Sequence, residues 1–158
     1  MERSAEDIIR TLQLERHPEG GWYRETWRAA SASPGERGAG TSILFLLEAG
    51  ERSHWHRVDA TELWIFQAGA PLFLRTAKGP QGEAGVVETR LGPDPVAGDA
   101  LQHAVLPHEW QAAEAGEGWS LVACVVAPAF DFSGFELAPP EWSPAGPALP
   151  LASGSRAT

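Results

Sequence analysis

Hydrophobic and polar residues alternate over short stretches through most of the chain, a pattern typical of half-buried β-strands. Turn-forming clusters rich in glycine and proline separate these stretches at hairpin intervals. The pattern predicts strands at residues 22–28, 42–47, 54–57, 62–67, 72–76, 86–91, 102–106, 109–113 and 119–127. About eight to ten strands with a single helix indicate an all-β sandwich or barrel.

The predicted helix lies at the N-terminal end. Ser4 and Asp7 have the spacing of a capping box, with Asp in place of the usual Glu, and apolar residues follow at helical spacing. These signals predict a helix over residues 5–13, which the proline and glycines at 18–21 terminate. Residues 29–40 are small, polar and glycine-rich, so we expect an exposed loop that carries no site.

The length of 158 residues suits one domain that buries about two-thirds of its unfolded surface. We expect this domain to occupy residues 1–138, because no linker divides the chain into two hydrophobic halves. Residues 139–158 are too rich in proline to continue a sheet. They are predicted to form a tail, of which about the last dozen residues are disordered.

The charge balance limits the partners of the protein. Twelve Lys and Arg stand against 21 Asp and Glu, a formal charge of -9, so nucleic acid and anionic membranes are repelled. We find neither a signal-peptide pattern nor an apolar run near the roughly 18 residues of a membrane span. These features predict a cytoplasmic protein with a small-molecule ligand. The single cysteine, Cys124, lies in an apolar run and is expected to be buried and inert.

The richest potential chemistry lies between Ser53 and Gly69. His54 and His56 are two residues apart, and Glu62 follows six residues after the second histidine. Side chains at positions i and i+2 of a strand share a face about 7 Å apart, so both histidines are expected to project into one cavity. A pair of surface histidines on a half-exposed strand is the alternative.

This stretch resembles the first conserved motif of the cupin superfamily, in which a glycine, His-x-His, a glutamate and a closing glycine follow one another. The spacing is shorter before the first histidine and longer after the second, and the matching residues are Gly50, His54, His56, Glu62 and Gly69. Further blocks at 19–25, 55–59, 62–64 and 126–132 are similar to the cupin type 5 branch, loosely called predicted sugar epimerases.

The resemblance extends from about residue 5 to residue 138. It implies a cupin double-stranded β-helix, which is a jelly-roll barrel, with one short N-terminal helix. This fold is similar to that of dTDP-4-dehydrorhamnose 3,5-epimerase. The resemblance also implies a homodimer, for which Trp27 and the apolar run 43–47 would supply a sheet edge or face.

The resemblance leaves the presence of a metal open. In metal-binding cupins, a histidine from a second motif joins the ligands of the first, but Ala112 stands at that position here and Gln111 is the nearest polar residue. His54, His56 and Glu62 would still form a three-ligand site for a divalent metal with open positions. The alternative is a metal-free pocket in which His56 and Glu62 act as an acid–base pair, and no other cofactor is implied.

A ligand pocket is also predicted from side-chain alternation. Glu62, Trp64 and Phe66 share one face of their strand, which favours an aromatic cup with a few polar groups. Arg24 would clamp a carboxylate or phosphate, or form a surface ion pair. The residues expected to contact a ligand are Arg24, Trp64, Phe66, His103, Trp110 and Gln111.

Three functions fit these residues. The first is an isomerase or epimerase acting on a sugar or nucleotide-sugar, with catalytic residues His56, Glu62 and Tyr23, in which His56 is the base. The second is a metal-dependent cupin enzyme that uses His54, His56 and Glu62. The third is a non-enzymatic protein whose aromatic cup binds a small ring. The sequence alone leaves all three open.

Overall fold

The computed structural model of the protein describes residues 2–149. Helix α1 (Ala5–Leu12) comes first, and eleven strands follow it in the described residues. The strands are β1 (Glu15–Arg16), β2 (Trp22–Arg28), β3 (Thr41–Leu47), β4 (Arg52–Val58), β5 (Thr61–Gly69), β6 (Leu72–Ala77), β7 (Val86–Leu91), β8 (Gln102–Val105), β9 (Trp110–Ala115), β10 (Ser120–Ala127) and β11 (Phe135–Leu137). A single 3₁₀ turn at Phe132–Gly134 precedes β11.

Two antiparallel sheets face each other. The six-stranded sheet has the order β1-β2-β3-β10-β5-β8, and the five-stranded sheet has the order β11-β4-β9-β6-β7. Phe45 and Trp64 from the first sheet join Leu74 and Ala113 from the second in one core cluster. The predicted all-β jelly-roll barrel with one short N-terminal helix is therefore confirmed.

Each predicted strand is present. Alternation of apolar and polar residues gives a strand one apolar face, and the barrel buries that face. In β6, Leu72 and Leu74 point inward and are 1% and 0% exposed, whereas Arg75 points outward and donates to Glu88 and Glu114. The short strands β1 and β11 were not predicted, since two or three residues are too few to show a period.

The inner faces of the strands make a dry core at one end of the barrel. We call this part the apolar end, and its side chains are at most 1% exposed: Leu47, Leu72, Leu74, Leu91 and Ala115. Full burial of one such leucine side chain contributes about 1.5–3 kcal/mol through the hydrophobic effect. The apolar end is therefore a main source of the free energy of folding.

Helix α1 begins with the expected capping box and ends in a left-handed cap. The Ser4 hydroxyl accepts a hydrogen bond from the backbone N–H of Asp7 at 3.1 Å, and the Asp7 carboxylate accepts one from the backbone N–H of Ser4 at 3.3 Å. Gln13 ends the helix in the left-handed conformation with φ of 56°. The helix packs its apolar face on Leu44 and Leu46 of β3.

That packing corrects the predicted pairing surface. β3 lies between β2 and β10, and α1 covers its outer face, so residues 43–47 form neither a free edge nor an exposed face. Trp27 on β2 is 50% exposed. No helix in the described part of the chain has the length and apolar character needed to cross a membrane.

The loop and the tail pack more closely than their composition indicates. Residues 29–40 contain no strand, yet Arg37 donates two hydrogen bonds to Asp59. The tail lies against the five-stranded sheet, where Trp142 packs on Trp110 and Leu149 donates its backbone N–H to Val86. Residues 147–149 make backbone hydrogen bonds with Val86, and the rest of the segment predicted to be disordered lies outside the described residues.

Candidate functional site

A cavity of about 150 Å³ occupies the barrel interior at the end opposite the apolar end. Its wall runs from buried side chains such as His56, 2% exposed, to exposed ones such as Phe132, so the cavity reaches from the core to the surface. We call the inner part of the cavity the charged end, where four His and Glu side chains lie: His17, Glu19, His56 and Glu62.

A β-bulge in β4 decides which side chains enter the cavity. Ser53 pairs with Ala113 and His56 pairs with Gln111, so β4 has one more residue than β9 between these two pairs. Because of the extra residue, Ser53 and His56 both point inward although they are three positions apart. The expectation that His54 and His56 project into one cavity is therefore wrong.

Several polar groups around the bulge have hydrogen-bond partners. The hydroxyl oxygen of Ser53 accepts the backbone N–H of Ala113 at 2.9 Å, and the backbone N–H of His54 donates to the carbonyl oxygen of Glu19 at 2.8 Å. The His54 ring lies 2.8 Å from the carbonyl oxygen of Pro139 through its Nε2 atom. These hydrogen bonds hold the bulge in place, and the one from His54 anchors the turn that carries Glu19.

The turn itself requires glycine. Gly20 has φ of 104°, and a Cβ atom there would clash with the carbonyl oxygen of Arg52 on β4. The turn can therefore approach β4 closely. The close approach and the hydrogen bond from His54 together place the Glu19 side chain beside His56.

His56 and Glu19 form a buried ion pair. The Nε2 atom of His56 lies 3.0 Å from Oε2 of Glu19, and its Nδ1 atom lies 2.8 Å from the carbonyl oxygen of His54. Burial by itself would lower the pKa of His56, but the carboxylates of Glu19 and Glu62 outweigh it and raise the pKa to about 9. His56 is therefore an imidazolium at neutral pH, and both of its N–H groups donate within the protein.

Glu62 occupies a different environment from Glu19. The indole N–H of Trp64 donates to Oε1 of Gln111 at 2.7 Å, which orients the amide so that its Nε2 donates to Oε2 of Glu62 at 2.7 Å. Burial raises the pKa of Glu62 to about 7, against the opposing influence of the His56 charge and the hydrogen bond from Gln111. Glu62 is thus poised to bind or release a proton near neutral pH.

Cys124 also touches Glu62. Its thiol is 2% exposed, and burial raises its pKa well above the ordinary value. A thiol of this kind remains protonated and serves as a weak hydrogen-bond donor to the carboxylate. The buried position agrees with the sequence expectation, although the location on the cavity wall was not foreseen.

His17 and Tyr23 form the side of the cavity next to Glu19. The backbone N–H of Glu19 donates to Nδ1 of His17 at 3.1 Å, and the ring of Tyr23 meets the His17 ring edge-on, with 4.5 Å between centroids. Burial lowers the pKa of His17. His17 is therefore neutral at pH 7, and its 3.9 Å separation from the Glu19 carboxylate is not an ion pair.

The mouth of the cavity combines aromatic and charged side chains. Phe130, Phe132 and Phe135 contact one another edge-on with centroids 4.9–5.9 Å apart, and Phe135 also lies against the His56 ring at 5.5 Å. Arg28 lies at the same mouth and donates two hydrogen bonds to Glu25, at 2.8 and 2.9 Å. The mouth thus offers flat apolar faces next to an ion pair.

Of the predicted site residues, His56, Glu62 and Tyr23 line the cavity, and Gln111 supports it from behind Glu62. Arg24 does not line it, because its side chain turns toward α1 and donates to the carbonyl oxygen of Leu12 at 3.3 Å. The predicted clamp is therefore not part of the cavity.

The remaining predicted ligand contacts lie elsewhere. Trp64 is 1% exposed and lies behind Gln111, while Phe66 and His103 are half-buried on β5 and β8, away from the cavity wall. Trp110 lies on the outer side of β9, where it packs against Trp142 at 4.3 Å. The aromatic cup exists, but phenylalanines near the C-terminal end form it.

Sequence reasoning missed Glu19, His17, Arg28 and the three phenylalanines. Glu19 precedes the two glycines of a block that resembles a known family, and a carboxylate in such a block was the one available signal. Nothing in the spacing of these residues indicates that the chain brings them together.

The side chains present do not fit the predicted metal site. His54 faces the tail rather than the cavity, and both nitrogens of His56 are engaged by protein oxygens. Among residues 2–149, no group of three or more His, Cys, Asp or Glu side chains has the arrangement of metal ligands.

Comparisons with known proteins agree with this architecture. The family Cupin_5, described as Cupin superfamily (DUF985), matches residues 6–138. A Shewanella oneidensis protein of known crystal structure is 40% identical, with a TM-score of 0.78 over 87% of this chain and 85% of its own. A hypothetical protein from Leishmania major is 34% identical, with a TM-score of 0.76 over 86% and 88%.

A dTDP sugar isomerase from Desulfovibrio desulfuricans shares the fold at 16% identity, with a TM-score of 0.58 over 77% of this chain and 83% of its own. At that identity the likeness concerns the fold alone. Comparison with curated proteins gave no match.

Proposed function

The chain belongs to the Cupin_5 family (DUF985) of the cupin superfamily, and from this premise we propose that its pocket isomerises or epimerises a small sugar by acid–base chemistry without a metal. The cupin fold supplies the small-molecule pocket. The observation that carries the proposal is the pair of buried carboxylates, Glu19 and Glu62, which one cavity holds in different electrostatic environments.

Such a pair permits a division of roles. A carboxyl group whose pKa is raised to about 7 can donate a proton at neutral pH, while a second carboxylate in the same cavity accepts one. Glu19 is paired with the His56 imidazolium at 3.0 Å and is the proton acceptor. Glu62, with its pKa raised to about 7, is the proton donor at neutral pH. In this proposal His56 is not the base; its positive charge lies next to the Glu19 carboxylate.

The proposed reaction is a proton transfer at a carbon next to a carbonyl group. Glu19 removes the proton from that carbon while Glu62 gives its proton to the carbonyl oxygen, which produces an enediol. For the isomer, a proton returns to the former carbonyl carbon while the hydroxyl group on the first carbon loses its proton. For the epimer, a proton returns to the other face of the first carbon while the former carbonyl oxygen gives its proton back to Glu62. Tyr23 lines the cavity and is the candidate for the second donor.

Several features support a sugar as the substrate. The wall combines buried carboxylates, which accept hydrogen bonds from hydroxyl groups, with phenylalanine faces that pack on the apolar side of a ring. The fold likeness to a dTDP sugar isomerase is compatible with this assignment, although it concerns architecture alone.

Hydrogen exchange with solvent tests the proposal. We expect incubation of the protein with keto sugars in deuterated water to place deuterium at the carbon beside the carbonyl, measured by NMR and mass spectrometry. Glu19→Gln and Glu62→Gln should each slow the exchange about 10²–10⁴-fold, because each removes one of the two proton carriers. Absence of exchange with every sugar that binds would contradict the enzyme and leave a ligand-binding protein.

A matched control separates these effects from the general effect of a substitution. His108 is exposed and has φ of 66°, a conformation that asparagine tolerates, so His108→Asn changes a histidine outside the cavity. This variant should retain the exchange rate of the unmodified protein.

Two predictions about the whole protein stay open. The homodimer stays a prediction. We place its contact at β2 around the exposed Trp27, because β3 is paired with β2 on one side and with β10 on the other. Light scattering of the protein and of Trp27→Glu would test it, since a charged residue in the contact should shift the mass toward the monomer. The cytoplasmic location also stays a prediction.

A further inference from the structure

We propose that the cavity selects an uncharged sugar with a ring of about six atoms, and that it rejects the phosphorylated and nucleotide-linked forms. This inference rests on the function proposed above and narrows its substrate class. Three kinds of observation support it: the charges on the cavity wall, the hydrogen bonds that the wall residues already make within the protein, and the size of the cavity.

The first observation is the sign of the charges at the mouth. Glu15 and Glu25 are exposed residues of the cavity wall, and in residues 2–149 Arg28 is the one Arg or Lys side chain among the wall residues. Glu19 and Glu62 add two carboxyl groups deeper inside. A phosphate group that approached this mouth would meet more negative than positive charge.

The second observation is that Arg28 is already occupied. Its Nε and Nη2 atoms donate to the two carboxylate oxygens of Glu25, and its Nη1 donates to the carbonyl oxygen of Phe130 at 3.1 Å. The planar fork that normally binds a phosphate is thus directed at the neighbouring carboxylate. A phosphorylated ligand would have to displace Glu25 and leave it beside another anion.

The third observation concerns the inner wall, where the available groups favour hydroxyl ligands. Both N–H groups of His56 are engaged, so it offers no free donor to an anion. Glu19 and Glu62 have oxygens that accept hydrogen bonds, and Thr41 accepts the backbone N–H of Phe130 at 3.0 Å while its hydroxyl proton remains able to donate. Sugar hydroxyl groups both donate and accept, whereas a phosphate dianion only accepts.

The fourth observation is size. The cavity of about 150 Å³ is comparable to engineered protein cavities that hold one benzene molecule. The side chains of Ile43, Phe45 and Val126 provide apolar walls for such a ring. A nucleotide would have to remain outside, beside the carboxylates of the mouth.

Direct binding of matched ligands tests the selectivity separately from catalysis. Fructose, fructose 6-phosphate and a dTDP-linked keto sugar would be titrated into the full-length protein and followed by ligand-observed NMR. We expect fructose to bind at least about tenfold more tightly than its phosphate and the nucleotide-sugar. Tighter binding of either anionic form, or no binding of any of the three, would overturn the inference.

A substitution at the mouth should weaken the preference for the uncharged sugar. Glu25→Gln removes the carboxylate that occupies Arg28 and frees the guanidinium for an anion. We expect the affinity for fructose 6-phosphate to rise about tenfold or more, with little change for fructose. The control Glu117→Gln makes the same change in net charge at an exposed site away from the cavity, and it should leave both affinities unchanged. Equal gains in the two variants would contradict a specific role of Arg28.

The outcomes distinguish this inference from the proposed function. Selective binding of neutral sugars without deuterium exchange would refute the enzyme and retain the selectivity. Exchange that occurs with fructose 6-phosphate but not with fructose would retain the enzyme and refute the selectivity.

Discussion

The two ends of the barrel interior are made by the same strands but differ in chemistry. Along β9, the inward side chains change from Gln111 at the charged end to Ala113 and Ala115 toward the apolar end, and along β10 they change from Cys124 to Val122. The apolar end excludes water and stabilises the fold, whereas the charged end keeps an ion pair and a carboxyl group in a cavity. The comparison shows that residues at one end of the strands stabilise the fold, whereas residues at the other end of the same strands form the site.

The largest expected effect is on activity, from a change at the charged end. Glu62→Gln preserves the shape of the side chain but cannot transfer a proton, so we expect the exchange rate to fall about 10²–10⁴-fold. The midpoint of urea unfolding should change little, because Gln111 can still donate to the new amide oxygen. A variant that exchanges at the normal rate would show that Glu62 is not the acid.

The converse change at the apolar end should affect stability alone. Leu74 is 0% exposed, so Leu74→Ala removes buried methyl groups and leaves a cavity, which we expect to lower the free energy of unfolding by about 2–5 kcal/mol. Denaturant unfolding would measure this loss, and the exchange rate per folded molecule should be unchanged at low temperature. Loss of exchange in the folded variant would show that the two ends are coupled.

The pH dependence of stability should come from the charged end. The pKa of His56 is raised from 6.5 to about 9 by folding, so its stabilising contribution is complete below pH 6.5 and is lost as the pH rises through 9. Across this pH range the loss in the free energy of unfolding due to His56 is about 3 kcal/mol. The raised pKa of Glu62 acts in the same direction between 4.5 and about 7.

Unfolding in urea at a series of pH values between 6 and 9.5 would measure the effect. The free energy of unfolding should decrease over this range in the unmodified protein and should decrease much less in His56→Gln. Equal slopes in the two proteins would mean that His56 is not charged in the folded state.

A pair of glycine substitutions should separate backbone strain from the position of Glu19. Gly20 and Gly50 both have positive φ, but the space beside Gly50 is open, whereas a Cβ at Gly20 would clash with Arg52. Each change to alanine should cost about 1–2 kcal/mol for the left-handed backbone. Gly20→Ala should also slow the exchange about 10²-fold, because displacement of the adjacent Glu19 misplaces the base. Equal effects of the two variants on exchange would contradict this role of the turn.

The smallest expected effect is that of His54. His54→Ala should lower the free energy of unfolding by about 0.5–1.5 kcal/mol through loss of the contact with Pro139. Metal content measured after purification without chelators, and the exchange rate, should both equal those of the unmodified protein. A joint loss of bound metal and activity would revive the three-ligand site.

Sequence reasoning predicts the barrel well and the site only in part. The long strands are predictable because each alternates over enough residues to show which face is buried, as in β6. Glu62 follows from the same alternation and from the resemblance to the first cupin motif, and Gln111 follows from the comparison with the second cupin motif. Glu19 does not, because it lies in a turn 37 positions before His56 and is brought there by one backbone hydrogen bond and the close approach of Gly20.

Aromatic residues show the same limit. Seven tryptophans make the chain appear rich in ligand-stacking groups, yet Trp64 is buried in the core and Trp110 holds the tail. The phenylalanines at the mouth come from the segment around the 3₁₀ turn, where no period marks the side that faces the cavity. Composition therefore indicates that an aromatic pocket exists, but not which residues form it.

The bulge in β4 shows that one sequence motif can place different side chains in the cavity, depending on where the extra residue lies. If the extra residue were accommodated before Ser53 instead of after it, His54 would oppose Ala113 and take the inward place that Ser53 now holds. The same letters would then present two imidazoles to one cavity. For related chains that contain His-x-His, the register between β4 and β9 determines which histidines point into the cavity. This register is therefore a better guide to metal dependence than the presence of the histidines.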